Sequence, residues 1–352
     1  MTAILDAGPS CPVPLVATDR IQLGHGSGGK LSAALLKDRF LPHLGNAVLD
    51  QLGDAAVLPV HGGDIAISTD TFVVRPVEFP GGNIGSLSVH GTLNDLAMMG
   101  ARPLCLTAGF VLEEGLDMAL LDRVLASMAA AAGAAGVPVV SGDTKVVERG
   151  KADQLYINTT GIGVLRPDFR PAPDRARPGD AVLVSGPIGS HGMAIMAARE
   201  GIAFEAAIES DAATLFPLVE LLRQAVGGAV HVLRDPTRGG VASALNEIAA
   251  ASQVGVVLED GALQVPGPVA SVCDLLGLDV MYVANEGVLV AFIEATAAEA
   301  ALAALRSHPL GAAAVIAGTA VATHPGMVVL RTGLGGTRIV DMLPGDQLPR
   351  IC

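Results

Sequence analysis

Eight residues of the 352-residue chain have side chains and settings suited to chemistry. Five are acids: Asp54, Asp70, Asp95, Asp143 and Asp235. Four of these lie in or beside small, turn-forming residues that follow apolar runs; Asp95 falls inside a helical stretch. Carboxylates converging from several strand ends suit Mg2+, a hard cation that takes oxygen ligands and shares them with phosphates. Each acid taken singly is equally an ordinary cap or turn residue. As a set they point to a metal–nucleotide site. A chain of net charge −13 would need that cation to offset repulsion between its acids and a phosphate.

The other three are Lys145, Glu286 and Cys352. Lysine is scarce, and Lys145 follows Ser141-Gly142-Asp143 directly, where a strand is expected to end. It is either a neutraliser of phosphate or oxyanion charge or a solvated turn lysine. Glu286 stands between the apolar runs Tyr282-Val283-Ala284 and Val288-Leu289-Val290. Burial there would raise its pKa and suit it to act as a general base; the alternative is a plain turn glutamate. Cys352 is the last residue, at the end of a ten-residue tail from Leu343 that contains Pro344, Gly345 and Pro349. Extended, such a tail reaches about 33 Å. It can bring a thiol into its own domain, a neighbouring subunit or a partner. The terminal carboxylate should raise that thiol's pKa and Arg350 should partly offset the rise.

These residues need elements to hold them. Gly53–Leu58 and Ile65–Thr71 read as strands joined by a turn at Gly62-Gly63. Ile84–Gly100 reads as a helix holding Asn94-Asp95, Leu104–Leu112 as a strand, and Leu116–Ala132 as an alanine-rich helix. Val137–Val140 reads as a strand leading into Ser141–Lys145, and Leu155–Val164 as another. Residues 165–180 carry Pro167, Pro171, Pro173 and Pro178 and form the clearest linker. Beyond it the helices expected are Met193–Glu200, Thr214–Ala225, Gly239–Ala251, Val269–Leu276 and Ala295–Ser307. The strands expected are Ala181–Gly186, Val254–Leu258, Met281–Ile293, Ala314–Ala322 and Met327–Leu330, with Asn285-Glu286-Gly287 at a turn between strands. This is an α+β chain of two domains: a lead over 1–19, domains over 20–165 and 166–342, and a flexible tail over 343–352.

Composition excludes several roles. The acidic balance and the absence of tryptophan argue against a nucleic-acid face. The N-terminus has no basic, then apolar, leader pattern. The most apolar window, Val124–Val140, is largely alanine and glycine and reads as a buried helix and strand. Cys11, Cys105, Cys273 and Cys352 form no close pairs, so neither a zinc site nor a disulfide framework is expected, and the chain reads as cytoplasmic. Gly24–Lys30 is a glycine-rich loop before a short helix, Leu31–Leu36. It is either a phosphate cradle or a flexible loop, since its spacing matches neither common phosphate-binding pattern.

Several segments together resemble the superfamily of aminoimidazole ribonucleotide synthetase, selenophosphate synthetase and thiamine-monophosphate kinase. They are Gly53-Asp54-Ala55-Ala56, Ser68-Thr69-Asp70, Asn94 to Ala101, Ser141-Gly142-Asp143-Thr144-Lys145, Arg234 to Gly240 and Asn285-Glu286-Gly287. The ending Pro349-Arg350-Ile351-Cys352 resembles one branch, the carbamoyl dehydratases of nickel–iron hydrogenase maturation. The resemblance runs from about residue 20 to the C-terminus.

It implies a two-domain PurM-like fold: an N-terminal mixed sheet forming a homodimer core, a C-terminal α/β sandwich and a mobile tail. It implies ATP held by Asp54, Asp70, Thr71, Asn94, Asp95, Asp143 and Thr144 near the dimer interface, with Mg2+ on Asp54, Asp70, Asp95, Asp143 and Asp235. It also implies the reaction. A partner, HypF, places a carboxamide on Cys352; ATP phosphorylates the amide oxygen; loss of phosphate leaves a thiocyanate. The cyanide then passes to a HypC–HypD pair. Lys145 would stabilise charge and Glu286 would take the amide proton. One departure discriminates among relatives. Selenophosphate synthetases carry a reactive residue in the N-terminal glycine-rich loop, where this chain has Ser27 and Gly28. A kinase-like relative needs no cysteine tail, and a non-catalytic carbamoyl carrier remains the alternative of a different class.

Overall fold

A computed structural model describes residues 21, 23–26, 28–201, 208–333, 335–343, 348 and 350–352. The lead with Cys11, Ser27 of the glycine loop and Pro349 of the tail lie outside the described residues.

Short helices α1 (Lys30–Leu35) and α2 (Leu41–Leu44) precede the first sheet. That sheet is built from β1 (Ala56–Val60), β2 (Gly63–Phe72), β5 (Ala101–Glu113), β6 (Val139–Val147) and β7 (Leu155–Leu165), in the order β1-β2-β7-β5-β6. It is mixed: β5 and β6 run parallel, and the other neighbours are antiparallel. A small hairpin, β3 (Glu78–Phe79) and β4 (Gly82–Asn83), feeds helix α3 (Ile84–Met98). Asn83 caps α3 by accepting from the N–H groups of Gly85 and Ser86, and Ser86 Oγ accepts from the Asn83 N–H in return. Helix α3 is buried nearly all round, between the sheet and α4 (Met118–Ala135) on one side and the second domain on the other. It therefore carries Asn94 and Asp95 into the middle of the molecule. Leu87, Leu93 and Leu96 are fully buried on it, each contributing about 1.5–3 kcal/mol by burial.

Helix α4 is, among the described residues, the one helix long and apolar enough by length and composition to cross a membrane. Leu120, Val124, Met128, Ala131 and Ala132 pack into the first core. Its remaining surface and β6 line an open apolar groove of about 920 Å3 that includes Leu125, Ala129, Val139 and Val140. The expectation of a buried helix and strand thus holds for one face of the helix, whereas β6 is exposed along nearly its whole length.

The second domain is a seven-stranded sheet in the order β14-β13-β10-β12-β8-β11-β9. Its strands are β8 (Ala181–Val184), β9 (Val230–Arg234), β10 (Gly255–Glu259), β11 (Val290–Ile293), β12 (Val315–Val321), β13 (Val328–Arg331) and β14 (Thr337–Ile339). Helices α5 (Ser190–Glu200), α6 (Phe216–Val226), α7 (Gly240–Ser252), α8 (Gly267–Leu276) and α9 (Ala298–Arg306) complete the domain. Strand residues alternate between two cores. Val182 and Val184 pack with Val241, Leu245 and Ile248 of α7, while Leu183 packs with Leu218 and Leu222 of α6 and Leu302 and Leu305 of α9. The mixed first sheet and the two-faced second one match the α+β, PurM-like expectation.

Three local expectations change. Strand β6 does not stop at Val140 but runs on to Val147 through Ser141–Lys145. Gly142 is there because a Cβ would stand 2.3 Å from the Ala108 carbonyl oxygen on β5; it permits a close pairing and does not break the strand. The apolar run from Met281 becomes a single 3-10 turn and a loop, with strand only from Val290. Strand β9, directly before Asp235, was not anticipated. Residues 166–180 are irregular as expected, yet Phe169 within them is 1% exposed and anchors the segment in a core.

Candidate active site

Four acids meet where the two domains join. Asp54 lies in the bend before β1, Asp70 on β2, Asp95 on α3 and Asp235 just past β9. Carboxylate oxygens of Asp54, Asp95 and Asp235 lie within 4.8 Å of one another. Ser68 Oγ donates to Asp95 at 2.5 Å, and the Asp70 carboxyl is a close charged neighbour of Asp95. Burial lifts all four; neighbouring acids add to the rise at Asp54, Asp95 and Asp235, while Arg238 opposes it at Asp70. Asp235 is pushed up to about 7, and Asp54 to about 6 against the pull of Arg234. Asp95 stands well above the usual carboxylate range and Asp70 is raised.

Arg234 holds Asp54 at 2.8 Å and Glu247 at 2.5 Å, so part of the charge is met from within the chain. The rest is not: Asp235 Oδ2 is buried with no hydrogen-bond partner. An orphaned carboxylate oxygen beside two other hard oxygen donors fits a divalent cation of the Mg2+ type, which Asp54, Asp95 and Asp235 would hold with Asp70 alongside.

Glu286 stands close to these acids, 2% exposed. Burial raises its pKa well above the ordinary value; Asp235, Asp211 and Asp70 add to this, and Arg238 opposes it. Its backbone is fixed from three directions. Its N–H donates to Asp211 Oδ1 at 3.1 Å, and its carbonyl accepts from Asn94 Nδ2 at 3.3 Å. A Cβ on Gly287 would stand 1.7 Å from the Asp211 carbonyl oxygen, so only glycine lets the loop lie this close.

The tail ends here as well. Ile351 is 3% exposed and packs with the first core, and Cys352 lies against it. The Val73 N–H donates to the Cys352 carbonyl at 3.0 Å and the Arg75 N–H to that of Arg350 at 3.3 Å. Burial pushes the Cys352 thiol up to about 12; Arg238 draws it down, while Glu286, Asp70 and Asp235 raise it. Arg350 was expected to offset the thiol's own carboxylate. It is turned elsewhere instead, to Asp153 at 2.7 Å, to the Val73 carbonyl at 3.0 Å and over the Tyr156 ring. The cation beside the sulfur is Arg238. Its Nη1 donates to the Gly26 carbonyl at 3.1 Å, which brings the glycine-rich loop to the same place.

Not every expected residue joins. Asp143 and Lys145 pair with each other at 2.7 Å and are 72% and 71% exposed. They stand on the edge strand β6, with β5 and β7 between them and Asp70, so within one chain Asp143 is no metal ligand and Lys145 does not reach Cys352. Thr144 shares that edge. Asn94 is corrected too. Both its amide donors and its oxygen are used inside the protein, on the carbonyls of Ala213 and Glu286 and the N–H of Leu215. It positions Glu286 and, fully buried, has no donor left for a nucleotide. Thr71 is exposed on β2 and accepts from Asn158 at 3.0 Å. Lys30 of the glycine loop is held by Asp341 at 2.5 Å. Arg238, Arg234, Asp211 and His191 escaped sequence reasoning. Only Arg238 and Arg234 carried a signal, flanking the Asp235-Pro236 turn.

Known proteins share this two-domain organisation. Residues 52–165 match the N-terminal domain, and 177–330 the C-terminal domain, of AIR synthase related proteins. The chain is 51% identical to carbamoyl dehydratase HypE of Azotobacter vinelandii over 332 residues, 94% of this chain and 97% of that one. A HypE crystal structure in complex with ATP superposes with a TM-score of 0.80 at 51% identity, covering 93% of this chain and 98% of that one. A HypE–HypF complex gives 0.84 at 45% identity, covering 88% and 100%. With two AIR synthase related domains, an acid cluster at their junction and a terminal cysteine beside it, the chain belongs to the HypE carbamoyl dehydratase family.

Proposed function

We propose that this protein dehydrates a carboxamide on Cys352 to a thiocyanate, using ATP, and so supplies cyanide for the iron of a nickel–iron hydrogenase. The observation that carries the reading is the convergence of the Cys352 thiol, Glu286, Arg238 and the acid cluster in one buried place. An amide oxygen is a poor leaving group and phosphate is a good one. The γ-phosphoryl of ATP goes to the amide oxygen, the C–O bond then breaks, and the oxygen departs with phosphate. The amide nitrogen sheds two protons as the C≡N bond forms, giving thiocyanate, ADP and phosphate. Glu286, with its raised pKa, is placed to take a proton from that nitrogen. Arg238 is placed to stabilise negative charge on the oxygen as it is phosphorylated. Asp54, Asp95 and Asp235 would hold Mg2+, which supplies charge neutralisation for the ATP phosphates.

Inside this pocket the thiol is protonated and a poor nucleophile. Carbamoylation therefore belongs to an outward tail presented to a HypF-type donor, and the inward tail belongs to dehydration. Delivery to a HypC–HypD pair needs the tail outward again. The exposed edge strand β6, with Val140 60% and Val146 68% exposed, and the apolar groove beside it support a homodimer formed through this face. A second copy would bring Asp143, Thr144 and Lys145 to the site that one chain leaves without them. The test is ATP hydrolysis before and after carbamoylation of Cys352. The reading requires hydrolysis to appear with the carboxamide and to vanish in Cys352→Ala. Carbamoylated protein that leaves ATP intact would make this chain a carrier.

A further inference from the structure

His191 is completely buried at the start of α5, and nothing in the reaction above uses it. Its Nε2 lies 3.0 Å from the carbonyl oxygen of Ile351, the residue before the reactive cysteine. A carbonyl only accepts, so Nε2 carries the hydrogen. Its Nδ1 lies 2.8 Å from Ser210 Oγ, which already accepts from the Ala212 N–H. Burial keeps the ring neutral, with its pKa down to about 4, so Nδ1 accepts the Ser210 hydroxyl hydrogen and the tautomer is fixed. The ring also meets Phe79 edge to face, with centroids 5.7 Å apart.

The three last carbonyls are thus gripped in succession. Those of Arg350 and Cys352 take donors from the backbone of residues 75 and 73, with Arg199 also on the former. Only the Ile351 carbonyl depends on one buried side chain. The neighbouring Asp211 holds the Glu286 N–H. Segment 210–211 therefore ties the group that fixes the tail to the group that fixes the base.

We propose that His191 is the positioning residue that holds the tail inward and sets the Cys352 sulfur at its working depth beside Glu286. The inference rests on the dehydratase reading for its kinetic consequence, but not for its structural one. When the tail leaves, a buried N–H loses its acceptor, which favours closure. Removing the donor should shift the tail outward and move the two half-reactions in opposite directions.

The experiment uses the full-length protein with His191→Phe, which keeps an aromatic ring against Phe79, and His191→Gln, whose amide can donate near the place of Nε2. Ser210→Ala serves as a milder variant that keeps the imidazole. Two rates are read: alkylation of Cys352 without ATP, mapped on the C-terminal peptide, and single-turnover thiocyanate formation from carbamoylated protein. His191→Phe should alkylate about ten-fold faster, the equivalent of about 1.4 kcal/mol, and form thiocyanate about ten-fold slower. His191→Gln should recover most of both, and Ser210→Ala should fall between. Unchanged alkylation in folded His191→Phe overturns the proposal. So does a fall in both rates that Gln does not rescue. If His191→Phe does not fold, Ser210→Ala decides, and wild-type alkylation in it overturns the proposal. Wild-type protein that forms no thiocyanate while His191→Phe still exposes Cys352 would refute the dehydratase reading and leave the clamp standing.

Discussion

The side-chain amide of Asn94 donates to the Glu286 carbonyl at 3.3 Å, so a helix of the first domain holds the base of the second. Its other amide hydrogen and its oxygen tie down Ala213 and Leu215 in the same way. Asn94→Ala should therefore leave ATP binding within about two-fold of wild type and slow thiocyanate formation by about ten-fold, since one lost buried hydrogen-bond set costs about 1–3 kcal/mol. Calorimetric ATP titration and single-turnover rates check this. A loss of ATP affinity with unchanged turnover would restore Asn94 to the nucleotide.

The orphaned Oδ2 of Asp235 makes this acid the most exacting test of the cation. Asp235→Asn should weaken Mg2+-dependent ATP binding by at least about ten-fold and make the metal-free protein more stable, because one of several mutually repelling buried acids is gone. Titration of ATP with and without Mg2+, and melting of the metal-free protein, check both signs. Undiminished Mg2+ dependence would place the metal elsewhere.

Lys145 and Asp143 bear on the dimer. Lys145→Ala and Asp235→Asn should each be inactive alone. Mixed and re-associated in equal amounts, they should recover about a quarter of wild-type activity, since half of the dimers then contain one intact site in two. No recovery in a mixture proven to exchange subunits would mean that Lys145 does not serve the partner's site.

Asp211 titrates against stability. Burial raises its pKa to about 6, while backbone N–H groups pull it down. A carboxyl raised in the folded state favours folding below its unfolded pKa near 4, and that advantage is lost as pH rises through 6. Asp211→Asn lacks this loss. Its stability relative to wild type should rise by up to about 3 kcal/mol between pH 4 and pH 7.5. Denaturant unfolding at matched pH values checks it, and a difference independent of pH would contradict the shift.

Much of this was legible in the sequence, and the gaps have physical causes. Alternating and fully apolar strands around Ile65, Leu155 and Ala181 announced two sheets. Asp54, Asp70 and Asp235 stood out because each sits where an apolar run meets small, turn-forming residues, and Asp95 because it is an acid inside an apolar helix. Glu286 stood out because it interrupts an apolar run. The setting of Asp143 and Lys145 was misjudged because Ser141-Gly142 looks like a strand end, whereas the strand runs on through them and the glycine serves close pairing with Ala108. Asn94 misled because α3 is buried on nearly every side, so no periodicity tells which neighbour a side chain meets. His191 and Asp211 are ordinary in their local sequence. Their importance comes from contacts 160 and 75 positions away, which spacing alone does not reveal.

The function proposed for this chain turns on whether Cys352 carries a carboxamide that is dehydrated at the expense of ATP. The intact mass of the purified protein, followed during incubation with HypF, carbamoyl phosphate, ATP and Mg2+, tests it most directly. The expected result is the gain of one carboxamide on Cys352, then an ATP-dependent loss of one water's mass, with Glu286→Gln halted at the carboxamide. A carboxamide that persists on wild-type protein with ATP and Mg2+ present, or a Glu286→Gln protein that forms thiocyanate at the wild-type rate, would contradict it.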